Sequence, residues 1–377
     1  MNKMLLIAVD SILAGVLITG CGNAGISIAT STPVIPTSAP PASTSTQTFT
    51  VPAIPSATAT AELLPISPEA TAYLEEALNI MKYVSLYRDR IDWEALHARA
   101  FKIAEHAQIP ADTYDAIEFA LNELGDHHSH FRPPDEVVQV KQTTLNDIPF
   151  PQGKLMFDKI GFIKIESFNS PDDSERSKYA SFVQHLIRDL DAHNACGWII
   201  DLRENTGGSA GPMLAGLGPI LGEGEIGAGI DADGEKSIWV YRDGQVLVGD
   251  DVDAHIDGPA YQLKASSPPV AVLTGMKTAS AGEAIVVAFR GRPNTRSFGL
   301  STYGVPTGNA VFQLSDGAWI ALTNVFFADR TGQIYDGRIE PDERVDVAWE
   351  LTVIMDEIIP QPAIDWLMSQ PACLAQK

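Results

Sequence analysis

Basic residues are scarce in this sequence of 377 residues. It has 26 Lys and Arg against 48 Asp and Glu, so its formal net charge at pH 7 is −22. Because proteins bind nucleic-acid phosphates mainly through Lys and Arg, this composition argues against a nucleic-acid partner. It carries no information about the fold.

Large apolar residues are rare in residues 22–66, where Ser, Thr, Pro and Ala dominate. A segment of this composition cannot bury a core, so we predict a disordered linker there. The remaining chain of about 310 residues suffices for a helical N-terminal segment and one larger core. We place the helical segment at 67–131 and an α/β core, ending in a C-terminal helix, at 132–377.

The N-terminus lacks a hydrophobic run long enough to predict a membrane-spanning helix. Lys3 precedes an apolar run at 4–18, and Thr-Gly-Cys21 follows. Residues 1–21 therefore resemble a bacterial lipoprotein signal, in which Cys21 becomes the lipidated first residue of the mature chain. A general secretory signal cleaved nearby is the alternative. Both predict export, and the first predicts a lipid anchor on the outer face of the cell membrane.

The sequence also has few cysteines. Apart from Cys21, the chain has only Cys196 and Cys373. In an oxidising compartment these two either pair, which would tie the C-terminal segment to the core, or remain two buried thiols.

Local patterns predict an ordered series of elements. Apolar residues at helical spacing indicate three N-terminal helices, and a later amphipathic helix separates two apolar strands. That strand–helix–strand order predicts a crossover between parallel strands and hence an α/β core. The predicted elements are helices beginning at 67 and near 92–105 and 112–124, a hairpin within 154–168, a helix around 179–190, a strand at 198–202 and a hairpin at 318–335.

Ser280 lies where a buried strand turns into a helix. Residues 269–273 form a short apolar run, and residues 284–289 continue as an apolar helix. Ser280 would open this helix, so the free N–H groups around Ala281 could hold a developing oxyanion. The alternative is a serine that only caps the helix.

A second motif, Asp-Leu-Arg-Glu-Asn-Thr-Gly-Gly at 201–208, follows another apolar strand. Together with Ser-Ala-Gly-Glu at 280–283, it resembles the C-terminal processing (tail-specific) protease family of serine peptidases. The resemblance implies an α/β fold with a crotonase/ClpP-like core, a peptide or protein substrate, and neither cofactor nor metal. It also implies an oxyanion hole formed by Gly207 or Gly208 together with Ala281. The resemblance favours no particular oligomeric state.

The general base distinguishes two branches of this family. One uses a lysine about 25 residues after the nucleophile, but this chain has Val305 there and no lysine after Ser280 except Lys377. The other branch, typified by the tricorn protease core, uses a histidine from an N-terminal segment. Its Leu-Gly-Asp-x-His motif is similar to residues 124–128 here, which implies that His128 is the base. A histidine titrates near neutral pH and so can accept and return the seryl proton.

Three histidines, His127, His128 and His130, lie close together, so a metal site is an alternative interpretation. A solvated cluster is another. The third catalytic group is also open. Tricorn-like relatives have a glutamate before a Pro-Asp turn; a strict count from this turn places Tyr335 there, whereas a one-residue gap places Asp336. We favour Asp336 as the group that orients the histidine, because it is a carboxylate.

Many family members contain a peptide-binding PDZ domain of roughly 80–100 residues. Between Phe131 and the strand near Phe162 the sequence has room only for a linker, so we predict that this domain is missing. We therefore expect an exported serine peptidase. A catalytically inactive ligand- or peptide-binding protein on the same fold and a small ester or amide hydrolase are the alternatives.

Overall fold

Helices and strands alternate along most of the chain. The computed structural model describes residues 64–142, 150–345 and 359–375. The helices in these ranges are α1 (Pro68–Val84), α2 (Trp93–Ile103), α3 (Tyr114–Leu124), α4 (Pro134–Gln142), α5 (Asp173–Asp191), α6 (Ala210–Leu221), α7 (Ala281–Phe289), α8 (Gln361–Met368) and α9 (Pro371–Leu374).

The strands of the described residues form two sheets. They are β1 (His130–Arg132), β2 (Gln152–Met156), β3 (Ile160–Lys164), β4 (Gly197–Asp201), β5 (Gly224–Ile230), β6 (Lys236–Arg242), β7 (Gln245–Val248), β8 (Asp251–His255), β9 (Val270–Thr274), β10 (Thr295–Gly299), β11 (Thr307–Gln313), β12 (Trp319–Ala328), β13 (Ile334–Tyr335) and β14 (Glu343–Arg344).

The first sheet has six strands in the order β14-β10-β9-β4-β3-β2. All neighbours are parallel except the β2–β3 hairpin. Strands β3 and β4 are parallel neighbours joined by α5, so the predicted crossover is confirmed. Side chains from one face pack against α5, α6 and α7, and those from the other face pack against α8 and α9. Such two-sided cover explains why β4 and β9 are apolar throughout.

The second sheet is antiparallel and has eight strands. Its main path is β1-β12-β5-β6-β7-β8, and β11 and β13 also pair with β12. Trp239 and Tyr241 of β6 and Phe327 of β12 join the same core as α6, so the two sheets share one buried layer. Sequence patterns did not predict β5 to β8.

The helical segment begins as predicted. Ser67 caps α1 by accepting the N–H of Ala70, and Pro68 occupies the first helical position. The bundle of α1, α2 and α3 shares a core with the β11–β12 hairpin. In addition, the hydroxyls of Tyr73 and Tyr114 both donate to Asp316 in that hairpin. The helical segment is thereby fixed to the hairpin that begins at Thr307.

A disulfide joins Cys196, directly before β4, to Cys373 in α9, with a Cα–Cα distance of 4.9 Å. Of the two alternatives left by the sequence, the structure shows the pair. From Pro65 onward the described residues belong to one compact unit. None of their helices has both the length and the apolar character needed to cross a membrane. The prediction of an α/β core with an N-terminal helical part is confirmed.

Candidate active site

Ser280 lies at the N-terminus of α7, as the sequence predicts, but its hydroxyl does not cap the helix. Its backbone has φ 52° and ψ −117°, a conformation that costs a non-glycine residue free energy. The turn directs Oγ toward His128, whose Nε2 lies 3.0 Å away. A strained strand-to-helix turn that presents a serine is the geometry of the nucleophile elbow in α/β-hydrolases.

Glu283 holds this turn in place. The carboxylate accepts the backbone N–H of Ser280 at 2.9 Å, that of Gly304 at 2.9 Å and that of Val305 at 3.0 Å. It also accepts the hydroxyl of Thr302 at 2.5 Å. Burial raises the pKa of Glu283 to about 7, although these donors act in the opposite direction. In the sequence, Glu283 is recognisable only as the last residue of the Ser-Ala-Gly-Glu motif, and no local signal predicts this role.

His128 lies on the loop after α3. Gly125 ends that helix with φ 74°, as predicted. Asp126 then accepts the backbone N–H of His128 at 2.8 Å and that of Ser129 at 2.7 Å. On the other side, the amide of Asn309 donates to the carbonyl of His128 at 3.0 Å. The histidine is only 4% exposed, so its ring is held inside the protein.

The imidazole of His128 connects Ser280 to Thr307. Its Nδ1 lies 2.7 Å from Thr307 Oγ1. If Nδ1 carries the proton and donates to Thr307, Nε2 is free to accept the proton of Ser280. Burial lowers the pKa of His128 to about 4, and the neighbouring His130 acts in the same direction. The ring is therefore neutral, and able to accept a proton, well below neutral pH.

The structure does not bring Asp336 to His128, so the prediction of this residue as the orienting group is not supported. Strand β13 pairs with the end of β12, and Asp336 follows it as an exposed residue. Tyr335, the alternative, donates its hydroxyl to Asp329 at 2.8 Å. Thr307 occupies the position at Nδ1 instead, and no local sequence signal identified it.

The double-glycine turn lies against Ser280. Gly207 and Gly208 have φ of 114° and 110°, values that favour glycine. A Cβ on Gly207 would come within 2.9 Å of the Ser280 Cβ, and one on Gly208 within 1.9 Å of the Phe168 carbonyl oxygen. The N–H of Gly207 donates to the side chain of Asn205 at 2.9 Å. No hydrogen bond among the described residues uses the N–H of Gly208 or Ala281.

The three histidines of the predicted cluster point to different surroundings and do not form one site. His127 is exposed, His128 faces Ser280, and Nδ1 of His130 lies 3.2 Å from the carbonyl of His128. Within residues 64–142, 150–345 and 359–375, no group of three His, Cys, Asp or Glu side chains is arranged to hold a metal ion. Cys21 lies outside the described residues.

Solved structures resemble this fold. A lipoprotein from Streptococcus agalactiae superposes with a TM-score of 0.66 at 26% identity, over 80% of this chain and 97% of that one. The photosystem II D1 C-terminal processing protease superposes with a TM-score of 0.54 at 15% identity, over 81% of this chain and 99% of that one. The second likeness concerns the fold alone.

Sequence relatives agree with this likeness. The chain is 27% identical over 309 residues to the nisin-resistance protein of Lactococcus lactis, covering 82% of this chain and 89% of that protein. It is 26% identical over 207 residues to the carboxyl-terminal-processing protease of Synechocystis sp., covering 55% of this chain and 39% of that relative. The model of Peptidase family S41 matches residues 159–345, which include Ser280 and the double-glycine turn. The resemblance to C-terminal processing proteases is thus confirmed, and residues 159–345 of this chain match peptidase family S41.

Proposed function

We propose that this chain is a serine peptidase in which Ser280 is the nucleophile and His128 the general base. The observation that carries the proposal is the 3.0 Å contact between Ser280 Oγ and His128 Nε2, made inside the protein across 152 residues of sequence. A nucleophile and a base within hydrogen-bond distance, with the base held by a third group, form the arrangement needed for acyl transfer. Thr307 is the third group.

The proposed reaction proceeds in two steps. His128 Nε2 takes the proton of Ser280 as Oγ attacks the scissile carbonyl, and the resulting imidazolium donates this proton to the leaving amine. A water molecule then attacks the acyl-enzyme with the same histidine as base. The products are two shorter peptides, and Ser280 regains its proton.

We assign the oxyanion hole to the N–H groups of Gly208 and Ala281. Gly207 is the weaker choice of the two glycines because its N–H donates to Asn205. Ala281 is the first residue of α7, where the helix dipole also stabilises negative charge. Preorganised donors of this kind account for about 10²- to 10³-fold in rate for each donor.

We further propose that the peptidase acts outside the cytoplasm, anchored through a lipid on Cys21. The sequence of residues 1–21 supports this location, and a similar solved structure is that of a lipoprotein. Incorporation of labelled palmitate by the full chain in a bacterial host tests the anchor. We expect Cys21→Ser to abolish incorporation, and retained labelling would contradict the proposal.

Cleavage of unfolded protein and of nisin, followed by mass spectrometry, tests the activity. Nisin is included because of the similarity to a nisin-resistance protein over most of both chains. We expect Ser280→Ala and His128→Ala to lower kcat by at least about 10⁴-fold. His127→Asn serves as the matched control, because His127 is exposed and asparagine tolerates its φ of 56°. Equal cleavage by all three variants would overturn the assignment.

Two other outcomes would identify the alternatives. Hydrolysis of small esters without peptide cleavage would indicate a small-substrate hydrolase. Peptide binding without any hydrolysis would indicate an inactive binding protein on the same fold.

A further inference from the structure

A cavity of about 130 Å³ lies beside the candidate active site. Its lining includes Ala210 and Gly211, the first residues of α6, which only Ser209 separates from the double glycine. The lining also includes Gly308 and Asn309, directly after Thr307. The cavity therefore lies next to both the proposed oxyanion hole and the residue that contacts His128.

The lining is mainly apolar. Six apolar side chains from α6 and the antiparallel sheet contribute to it: Leu214, Trp239, Val246, Val248, Val325 and Phe327. Neighbouring glycines provide the space, since a Cβ on Gly308 would come within 2.8 Å of Val325 Cγ2. An aliphatic group entering this cavity would gain free energy in proportion to the apolar area it buries.

The lining has four polar side chains. Ser237 is exposed and Asn324 is half-buried, and the other two, Asp253 and Asn309, are engaged by the protein. Asp253 pairs with Arg176 at 3.0 Å, so its charge is compensated and does not favour a cationic ligand. The Asn309 side chain donates to the carbonyl of His128 at 3.0 Å and accepts the hydroxyl of Thr323 at 2.9 Å. Neither side chain needs a polar ligand to satisfy it.

Size sets an upper limit on the ligand. An apolar cavity of about 150 Å³ holds one benzene molecule, so one of about 130 Å³ fits a branched aliphatic side chain better than an indole or a phenol. We propose that this cavity is a specificity pocket that takes an aliphatic side chain, such as leucine, isoleucine, valine or methionine, from one of the two residues at the scissile bond. The proposal rests on the proposed peptidase activity.

Three variants of the full-length chain test the pocket. Ser237→Leu fills it from β6, whereas Val325→Ala enlarges it. Gln245→Leu is the matched control, because Gln245 is exposed and alternates along β7 with the pocket residues Val246 and Val248. Each protein is incubated with a mixture of synthetic peptides, and the cleaved bonds are identified by mass spectrometry. The rate of labelling by a small fluorophosphonate is measured in parallel.

We expect the wild type and Gln245→Leu to favour an aliphatic residue at one position flanking the cut by about 10-fold or more over alanine. Ser237→Leu should lose this preference while still cutting beside alanine, and Val325→Ala should shift the preference toward phenylalanine. Normal fluorophosphonate labelling without any aliphatic preference, or with a preference unchanged in Ser237→Leu, would overturn the pocket alone. Failure of the wild type to be labelled would overturn the proposed activity itself.

Discussion

The two halves of the candidate site are built differently. Ser280 lies in a turn between adjacent elements, β9 and α7, and is fixed by Glu283 three residues later in the chain. His128 lies on a loop. Thr307, 179 residues away, contacts its ring, and Asn309, 181 residues away, donates to its backbone carbonyl. The position of the proposed nucleophile therefore depends on local structure, whereas that of the proposed base depends on long-range packing.

The difference between the halves predicts where the site is most sensitive. A change at the serine half should disturb the turn itself, because several backbone groups share one carboxylate. A change at the histidine half should remove single contacts from a ring that the surrounding core still holds.

Outside the proposed Ser280–His128 pair, the largest expected effect comes from Glu283→Gln. Glutamine has an NH2 group in place of one carboxylate oxygen, and this group cannot accept a hydrogen bond. At least one of the Ser280, Gly304 and Val305 donors therefore loses its partner. We expect kcat to fall about 100-fold, because small displacements of reacting groups have effects of this size. Glu340→Gln, at an exposed glutamate, is the control. Wild-type kcat in Glu283→Gln would contradict this role.

The same variant has a pH-dependent effect on stability. Burial raises the pKa of Glu283 from 4.5 to about 7, so folding favours the protonated carboxyl. Its contribution to stability is complete below pH 4.5 and is lost as the pH rises through 7. We expect the difference in Tm between the wild type and Glu283→Gln to be greatest at pH 4.5 and to shrink toward pH 8. A constant difference would show that Glu283 does not titrate in this range.

The pH dependence of activity tests the histidine half. With a pKa of about 4, His128 remains largely neutral at pH 5. A histidine with the ordinary pKa of about 6.5 would be about 3% neutral at that pH, which would lower the rate about 30-fold. We therefore expect the acid limb of kcat/KM near pH 4. A limb near 6.5 would show that burial does not shift the pKa of His128.

For stability, the effect of His128 has the opposite sign to that of Glu283. The contribution of His128 to stability is present above pH 6.5 and is lost as the pH falls through 4.

Removing the threonine hydroxyl should have a smaller effect. Thr307→Val deletes the oxygen 2.7 Å from Nδ1 of His128. We expect kcat to fall about 10-fold with little change in KM, since one hydrogen bond contributes about 0.5–1.5 kcal/mol. Thr307→Ser keeps the hydroxyl and should stay near wild type. If both variants lose activity equally, the contribution of Thr307 is packing rather than the hydrogen bond.

The smallest effect is expected at Asp336. Its side chain is exposed, and Thr307 lies at the ring nitrogen it was expected to contact. Asp336→Asn should therefore change kcat/KM less than about 2-fold, as for most surface substitutions. A loss of 10-fold or more would restore Asp336 as the orienting group.

Much of the serine half was predictable because its signals are local. An apolar run, Ser280, the following helix and the double glycine are all short motifs, and each lies where the sequence indicates. His128 could be found because it belongs to a motif that ends a helix at Gly125. The preference for Gly208 over Gly207 in the proposed oxyanion hole rests on the position of the Asn205 side chain, which the sequence does not indicate.

Other features could not be predicted for physical reasons. Thr307 contacts His128 only because the helical segment packs on the β11–β12 hairpin, and no spacing in the sequence records that contact. Helix α6 is buried almost all round, so it lacks the amphipathic pattern that identifies a surface helix. Strand β5 contains three glycines, and β7 and β8 have only four and five residues, which weakens their alternation.

The central claim is that Ser280 is activated by His128. Its most direct test is the rate and site of fluorophosphonate labelling in the wild type and in His128→Ala, with the modified residue identified by peptide mass spectrometry. We predict one phosphonyl group, on Ser280, and a labelling rate that falls at least about 100-fold in His128→Ala. Modification of another residue, or an unchanged rate in His128→Ala, would contradict the claim.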